Sequence, residues 1–135
     1  VENHNLKGKV EYLGPKYDND KIKMYEQSDI FAFPTYYHYE CFPLVLLEAM
    51  QNSLPVISTQ EGGIRDIVAD KVTGFLVEQK NKNELAEKLE ILITNGTLRE
   101  KMGKASREKF LKEFTLETFE RNLTVILEDA ISKSY

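Results

Sequence analysis

One stretch of the sequence decides the expected fold: IFAFPTYYHYECFPLVLLEAM, residues 30–50. The run Ile30–Phe33 is continuously apolar, which predicts a short strand that is buried on both faces. A loop rich in tyrosine follows, and Pro43 then predicts the start of a helix, because proline fits the first helical position and needs no amide partner there. The backbone amides of Leu44 and Val45 would lie at the positive end of this helix, which favours a phosphate or another anion.

Strand and helix signals alternate on both sides of this stretch. The apolar runs predict further strands at Val10–Leu13, Pro55–Ser58 and Phe75–Val77. Helical periodicity and capping residues predict helices over 18–28, 43–52, 64–69 and 98–114. A further helix has Leu85, Leu89 and Leu92 on one face. Thr115 is predicted to cap the last helix, whose apolar stripe consists of Phe119, Leu123, Ile126, Leu127 and Ala130. Strands that alternate with helices through short loops indicate an α/β fold with a doubly wound parallel sheet and a helical C-terminal tail.

Such sheets bind ligands at the carboxyl ends of their strands. The loops at Gly14, at 35–42 and at 59–63 each follow a predicted strand. We therefore expect these three loops to lie along one edge of the sheet, and this edge is the candidate site. The pair Gly62-Gly63 before a helix is a second possible anion-binding turn, although two glycines alone are a weak signal.

The composition narrows the classes of function. The chain has 135 residues, which suits a single domain, and its formal net charge is −4 without a long basic run, which disfavours nucleic acid as a partner. Its single cysteine, Cys41, cannot form an internal disulfide, and no apolar stretch is long enough to span a bilayer, so we expect a cytoplasmic protein. The sequence has no dinucleotide or P-loop fingerprint and no metal-ligand spacing, so we expect no cofactor and no metal.

Two carboxylates, Glu40 and Glu48, frame the start of the predicted helix. The helical wheel places Glu48 with Gln51 and Asn52, opposite the apolar face. This pattern fits an ordinary solvated residue, but it also fits a carboxylate that faces a cleft and accepts hydrogen bonds from ligand hydroxyls, where its charge strengthens them. Glu40 could equally be an acid that favours a helix start for electrostatic reasons alone. Cys41 has no paired base in the sequence, so burial is expected for it rather than nucleophilic chemistry.

Taken together, these residues resemble the C-terminal domain of nucleotide-sugar glycosyltransferases with the GT-B fold, most closely glycosyltransferase family 4. The family signature is two glutamates separated by seven residues, and here it reads Glu40-Cys-Phe-Pro-Leu-Val-Leu-Leu-Glu48-Ala-Met. Further matches in the same order are Val10-Glu-Tyr-Leu-Gly14, Ser53-Leu-Pro-Val-Ile57, Gly62-Gly-Ile-Arg-Asp-Ile-Val68 and Thr73-Gly-Phe-Leu-Val77. The resemblance covers nearly the whole chain and implies a three-layer, Rossmann-like parallel sheet, truncated at its N-terminal edge.

The resemblance also implies a role for each site residue. The counterpart of Glu48 holds the ribose hydroxyls of the nucleotide, and that of Glu40 lies beside the donor sugar. Backbone amides at Phe42, Leu44 and Val45 would approach the sugar and the diphosphate, and the loop at Gly14 and Pro15 would lie against the base. A hexosyl or N-acetylhexosaminyl group would pass from a UDP- or GDP-linked donor to a saccharide or glycolipid acceptor, with retention and without a metal.

The sequence departs from the family at several points. Cys41 and Pro43 replace the usual glycines, and Pro43 removes one amide, so phosphate contacts would move to Leu44 and Val45. The basic residues that grip the diphosphate, and the acceptor domain, belong to segments that the 135 residues do not include. We therefore expect residues 1–135 to be a single partial donor domain that is inactive alone. Self-association through the cut sheet edge, and a peripheral position of the full-length enzyme at the inner membrane face, are further options that the sequence leaves open.

Two other interpretations remain open at the level of sequence. A non-catalytic Rossmann-like interaction or regulatory module would also lack the basic loop. A sugar-nucleotide epimerase with the GT-B fold is a further alternative, although the Glu40–Glu48 pair argues against it.

Overall fold

A computed structural model describes residue 6 and residues 8–133, and a three-stranded parallel sheet lies at its centre. The strands are β1 (Phe31–Phe33), β2 (Val56–Thr59) and β3 (Gly74–Val77), arranged in the order β1-β2-β3. In the register of the sheet, Phe31 lies opposite Val56, which in turn lies opposite Gly74. The predicted parallel sheet of an α/β fold is thus confirmed.

Helices connect these strands and then form the C-terminal tail. They are α1 (Asp18–Glu26), α2 (Leu44–Gln51), α3 (Ile64–Ile67), α4 (Lys82–Thr94), α5 (Gly96–Glu113) and α6 (Leu116–Ser132). The helices predicted over 18–28, 43–52, 64–69 and 98–114 are confirmed, with ends that differ by at most two residues. Thr115 caps α6 as expected, because its side-chain oxygen accepts a hydrogen bond from the Thr118 amide at 3.2 Å.

The sheet is the middle layer between two layers of helices, and β2 is its central strand. Val56 belongs to an apolar cluster with Leu46 and Met50 of α2, whereas its neighbour Ile57 belongs to a second cluster with Leu92 of α4. Successive side chains of a strand point to opposite faces, so helices cover both faces of β2 and all its residues are buried. This arrangement explains why the run around Val56 is continuously apolar rather than alternating.

Two expectations about the first strands are wrong. Val10–Leu13 forms no strand, and its side chains are open to solvent, with Val10 52% and Tyr12 92% exposed. Since no described strand pairs with β1 on its outer side, β1 is an edge strand, and Ala32 is exposed instead of being buried on both faces. Self-association through this edge stays a prediction, which sedimentation equilibrium over a wide concentration range would test.

Within residue 6 and residues 8–133, no helix combines the length and the apolar character needed to cross a membrane.

Candidate functional site

The carboxyl ends of β1 and β2 are joined by side-chain hydrogen bonds. The Ser58 hydroxyl donates to the Phe33 carbonyl at 2.7 Å, and the Thr59 hydroxyl donates to the Thr35 carbonyl at 2.6 Å. Both hydroxyls are buried, so these bonds also satisfy polar groups that would otherwise be costly in the interior. The loops that follow these strands therefore start side by side, as the sequence predicts for two of the three loops.

The Gly62-Gly63 pair fits tightly beneath the loop that carries Glu40. The Gly63 amide donates to the Cys41 carbonyl at 2.8 Å. A Cβ atom on Gly62 would lie 1.7 Å from the Glu40 carbonyl oxygen, and one on Gly63 would lie 2.5 Å from that of Cys41. Close backbone approach therefore explains both glycines, and the Gly63 amide is already used within the protein rather than open to an anion.

The same loop corrects the expectation for Cys41, which is exposed rather than buried. His38, three residues earlier, places its Nδ1 atom 3.2 Å from a carboxylate oxygen of Glu61. Both side chains belong to loops after strands, so this contact adds a second link between the loops that follow β1 and β2.

Helix α2 begins one residue later than the sequence predicts. Pro43 is the N-cap, with φ −72° and ψ 108°, because its backbone is still extended, and Leu44 is the first helical residue. The Leu46 amide donates to the Pro43 carbonyl at 3.1 Å, and no side chain caps this end. The amides of Leu44 and Val45 thus belong to the first turn, where helices have no internal acceptors for them.

Glu48 faces a cavity between α1 and α2. One carboxylate oxygen lies 2.6 Å from the Lys21 Nζ atom, and the other accepts a hydrogen bond from the Tyr25 hydroxyl at 2.9 Å. The cavity has a volume of about 270 Å³, and its lining includes Glu48, Gln51 and Asn52, the three residues that the helical wheel places on one face. The Glu48 side chain is 32% exposed, so it is neither buried in the core nor free in bulk solvent.

Tyr25 and Lys21 were not among the residues that sequence reasoning selected. The Tyr25 residue is only 8% exposed, and burial, together with the hydrogen bond to Glu48, raises the pKa of its phenol well above the ordinary value. A tyrosine on the inner face of an otherwise polar helix was the available signal, because a buried phenol usually needs a hydrogen-bond partner. The signal does not name that partner, which lies 23 residues away in the chain.

The loop at Gly14 and Pro15 lies next to this cavity. Pro15 lines a second cavity of about 400 Å³ near the start of α1, and Asp18 lines both cavities. Gly14 has a φ of 66°, a left-handed conformation that suits the glycine of a turn. Although the strand before it does not form, this loop is therefore linked to the Glu48 cavity through Asp18, the residue that both cavities share.

Glu40 lies in the loop that precedes α2. It is half-buried, and its carboxylate makes no hydrogen bond or ion pair with the part of the chain that the structure describes. Phe42, two residues on, is exposed and contacts the ring of Phe114 edge-on, with 6.1 Å between the ring centroids. The two glutamates thus differ, since Glu48 is held by neighbours and Glu40 is not.

Among residue 6 and residues 8–133, no three histidine, cysteine or acidic side chains form a group that could hold a metal ion.

Comparison with known proteins gives a consistent result. The family model described as "Glycosyl transferases group 1" matches residues 1–109. The chain is 38% identical over 100 residues to the capsular polysaccharide biosynthesis glycosyltransferase CapM of Staphylococcus aureus, which corresponds to 74% of this chain and 26% of CapM. The chain therefore spans about a quarter of the length of this curated relative.

Solved structures support the fold. Sucrose-phosphate synthase from Thermosynechococcus elongatus superposes with a TM-score of 0.83 at 26% identity, over 98% of this chain and 33% of that one. A TarM variant from S. aureus, crystallised with Fondaparinux, alpha-GlcNAc-glycerol and UDP, superposes with a TM-score of 0.77 at 27% identity, over 91% of this chain and 24% of that one. The matched residues and the shared fold lead to one conclusion: the chain belongs to the glycosyl transferases group 1 family.

Proposed function

We propose that this chain is the donor-binding part of a glycosyltransferase that moves a hexosyl or N-acetylhexosaminyl group from a nucleotide-diphosphate sugar to a saccharide or lipid acceptor, with retention of the anomeric configuration. The observation that carries the proposal is the Glu48 carboxylate, which is held by two groups of α1 at a cavity that the second half of α2 also lines. A charged acceptor in a partly enclosed site suits the hydroxyl groups of a ribose.

The rest of the donor is assigned to the neighbouring groups. The base lies against Gly14 and Pro15, because the cavity that Pro15 lines adjoins the Glu48 cavity at Asp18. The diphosphate lies at the first turn of α2, where the amides of Leu44 and Val45 are available and the helix dipole favours negative charge. The Phe42 amide lies in the adjoining loop and completes this set of donors.

Glu40 is assigned to the donor sugar and is the candidate catalytic residue. Its carboxylate is not engaged by another described side chain, so it is available to a sugar hydroxyl or to a developing positive charge. The amides at the start of α2 would stabilise the negative charge that grows on the diphosphate as the sugar leaves. The proposed reaction uses no cofactor and no metal ion, and the assignment to glycosyltransferase family 4 stays part of this proposal.

The acceptor is proposed from the relatives and from the extent of the match. CapM is named for capsular polysaccharide biosynthesis, and the TarM structure contains alpha-GlcNAc-glycerol beside UDP, which favours a saccharide or a glycerol-linked acceptor. Because the chain covers about a quarter of these proteins, the acceptor site is assigned to a part of the enzyme beyond residues 1–135. The cytoplasmic location, peripheral to the inner membrane face, belongs to the same proposal.

The binding half of the proposal is tested by titrating the 135-residue chain with UDP and GDP, separately, by isothermal calorimetry and amide NMR. We expect one of them to bind and to shift the amides of Leu44 and Val45. Glu48→Ala should weaken binding roughly tenfold or more, the scale of a lost charge-assisted hydrogen bond. Glu90→Ala, an exposed helical glutamate of α4, is the matched control and should leave affinity unchanged.

The proposed catalytic activity is tested separately, by an assay for sugar transfer. The chain alone should transfer no sugar from UDP-glucose or UDP-N-acetylglucosamine, because the acceptor site is proposed to lie outside it. Transfer by these residues would contradict the proposed division of the enzyme, and failure of both diphosphates to bind would overturn the donor assignment.

A further inference from the structure

The Glu48 carboxylate has one hydrogen-bonding partner on each of its two oxygens. An ionised carboxylate has two oxygens, each with two lone-pair positions for hydrogen bonds. In the structure, Lys21 takes one position on the first oxygen and Tyr25 takes one position on the second. No other side chain among the described residues is hydrogen-bonded to this carboxylate, so one acceptor position remains on each oxygen. This pattern matches the two hydroxyls of a vicinal diol one to one.

The Tyr25 hydroxyl is itself held in place by the core. Tyr25 is almost fully buried, and its ring packs against that of Phe31 on β1, with 5.6 Å between the centroids. The position of its hydroxyl is therefore fixed by the core rather than by the ligand. Lys21 lies one helical turn before Tyr25 on the same helix, so both groups approach the carboxylate from α1. The orientation of the carboxylate is thus determined before a ligand arrives.

We propose that Tyr25 and Lys21 are positioning residues that hold the Glu48 carboxylate for two-point recognition of a vicinal diol, so that the site selects a ribonucleotide over its 2′-deoxy form. This inference rests on the proposed function, because it takes the nucleotide ribose as the diol. Neither residue contacts the ligand in this proposal. Each acts through Glu48, because a carboxylate that can rotate loses the paired arrangement of its free acceptor positions.

The test compares pairs of ligands on the same 135-residue chain. Calorimetry measures the affinities of UDP, GDP and ADP and of their 2′-deoxy forms for the wild-type protein and for Tyr25→Phe. We expect the wild type to prefer the ribonucleotide roughly tenfold, the scale of one hydrogen bond to a charged group. In Tyr25→Phe the preference should fall to about threefold or less, while the affinity for the 2′-deoxy form changes little.

Lysine variants give an independent readout. Lys21→Met should reduce the ribose preference, and Lys21→Arg should restore it, because arginine can also donate to the carboxylate. Lys23→Met is the matched control: Lys23 lies on the same helix, where its only ion pair is with Asp20 at 4.0 Å among the described residues, and it does not line the cavity. This variant should keep the wild-type preference.

The outcomes separate the inference from the proposed function. If the wild type binds no nucleoside diphosphate, the proposed function fails and this inference fails with it. If the wild type binds and Tyr25→Phe keeps the full ribose preference, only the inference is overturned. A variant that loses both forms of the nucleotide equally would show that Tyr25 supports the fold rather than the orientation of Glu48, which also overturns the inference.

Discussion

Helices α2 and α6 each have an apolar face, but only that of α2 is buried. Leu46 and Ala49 of α2 are fully buried, whereas Leu116 and Phe119 of α6 are 70% and 61% exposed. A groove of about 540 Å³ separates the start of α2 from α6, and apolar side chains of both helices line it. The pattern of apolar residues thus predicts which face is suited to burial, but neighbouring elements decide whether the face is buried.

The neighbours of α2 explain the difference. At its start, Gly63 holds the preceding loop through Cys41, and at its end the Arg107 guanidinium of α5 donates to the Gln51 carbonyl. Gly103 of α5 has no side chain, so α5 can approach Ser53 just after α2. Helix α6 packs against α5, and Thr115 caps its start. The larger side chains of its apolar stripe are exposed: Phe119, Leu123, Ile126 and Leu127.

The largest expected effect tests this contrast directly. Leu46→Ala should lower the free energy of unfolding by about 2–5 kcal/mol, because it removes buried apolar atoms and leaves a cavity. Leu127→Ala, the same change on the exposed face of α6, should alter it by less than about 0.5 kcal/mol. Urea unfolding followed by circular dichroism measures both, and equal losses would show that the face of α6 is covered in solution.

A second substitution tests how the start of α2 is held. Gly63→Ala should lower the free energy of unfolding by about 1–3 kcal/mol, because the new methyl group would collide with the backbone of Cys41. Gly96→Ala is the matched control, since a Cβ atom there meets only Arg99 at 4.0 Å and alanine favours a helix. A neutral Gly63→Ala would mean that the two loops are not in contact.

A third change should stabilise the protein. The Ser106 hydroxyl of α5 is fully buried and has no hydrogen-bond partner among the residues that the structure describes, so Ser106→Ala should raise the free energy of unfolding by about 1 kcal/mol. Ser58→Ala is the opposite case, because the Ser58 hydroxyl donates to Phe33, and its removal should lower stability by about 1 kcal/mol. Urea unfolding curves of each variant and of the wild type show whether the free energy of unfolding rises or falls. A lower free energy of unfolding in both variants would indicate that the Ser106 hydroxyl has a hydrogen-bond partner.

The smallest effect concerns pH. The folded state raises the pKa of Tyr25 above its ordinary value of 10.0, so the phenol keeps its proton in the folded protein at a pH where the unfolded chain has lost it. This contribution to stability is complete below pH 10.0 and declines as the pH rises above that value. Tyr25→Phe should therefore show a shallower alkaline loss of stability than the wild type in denaturant unfolding, whereas Tyr12→Phe, an exposed tyrosine, should not.

Local features of the site followed from the sequence because they depend on neighbouring residues in the chain. The helical period places Glu48, Gln51 and Asn52 together, and all three line one cavity. Pro43 marked the start of α2 to within one residue. The alternation at 10–13 predicted a strand that does not form, because a strand also requires a partner for its backbone groups, and the described chain supplies none.

The sequence by itself determined the order of the elements from α1 onward, the capped start of α6 and the polar face of α2, because periodicity and capping act over a few residues. Only the tertiary structure decided that Tyr25 and Lys21 hold Glu48, that two glycines lie under the loop of Glu40, and that the apolar face of α6 stays open. These contacts join residues that are far apart in the chain, and the local pattern of apolar and polar residues does not specify which distant group each residue contacts.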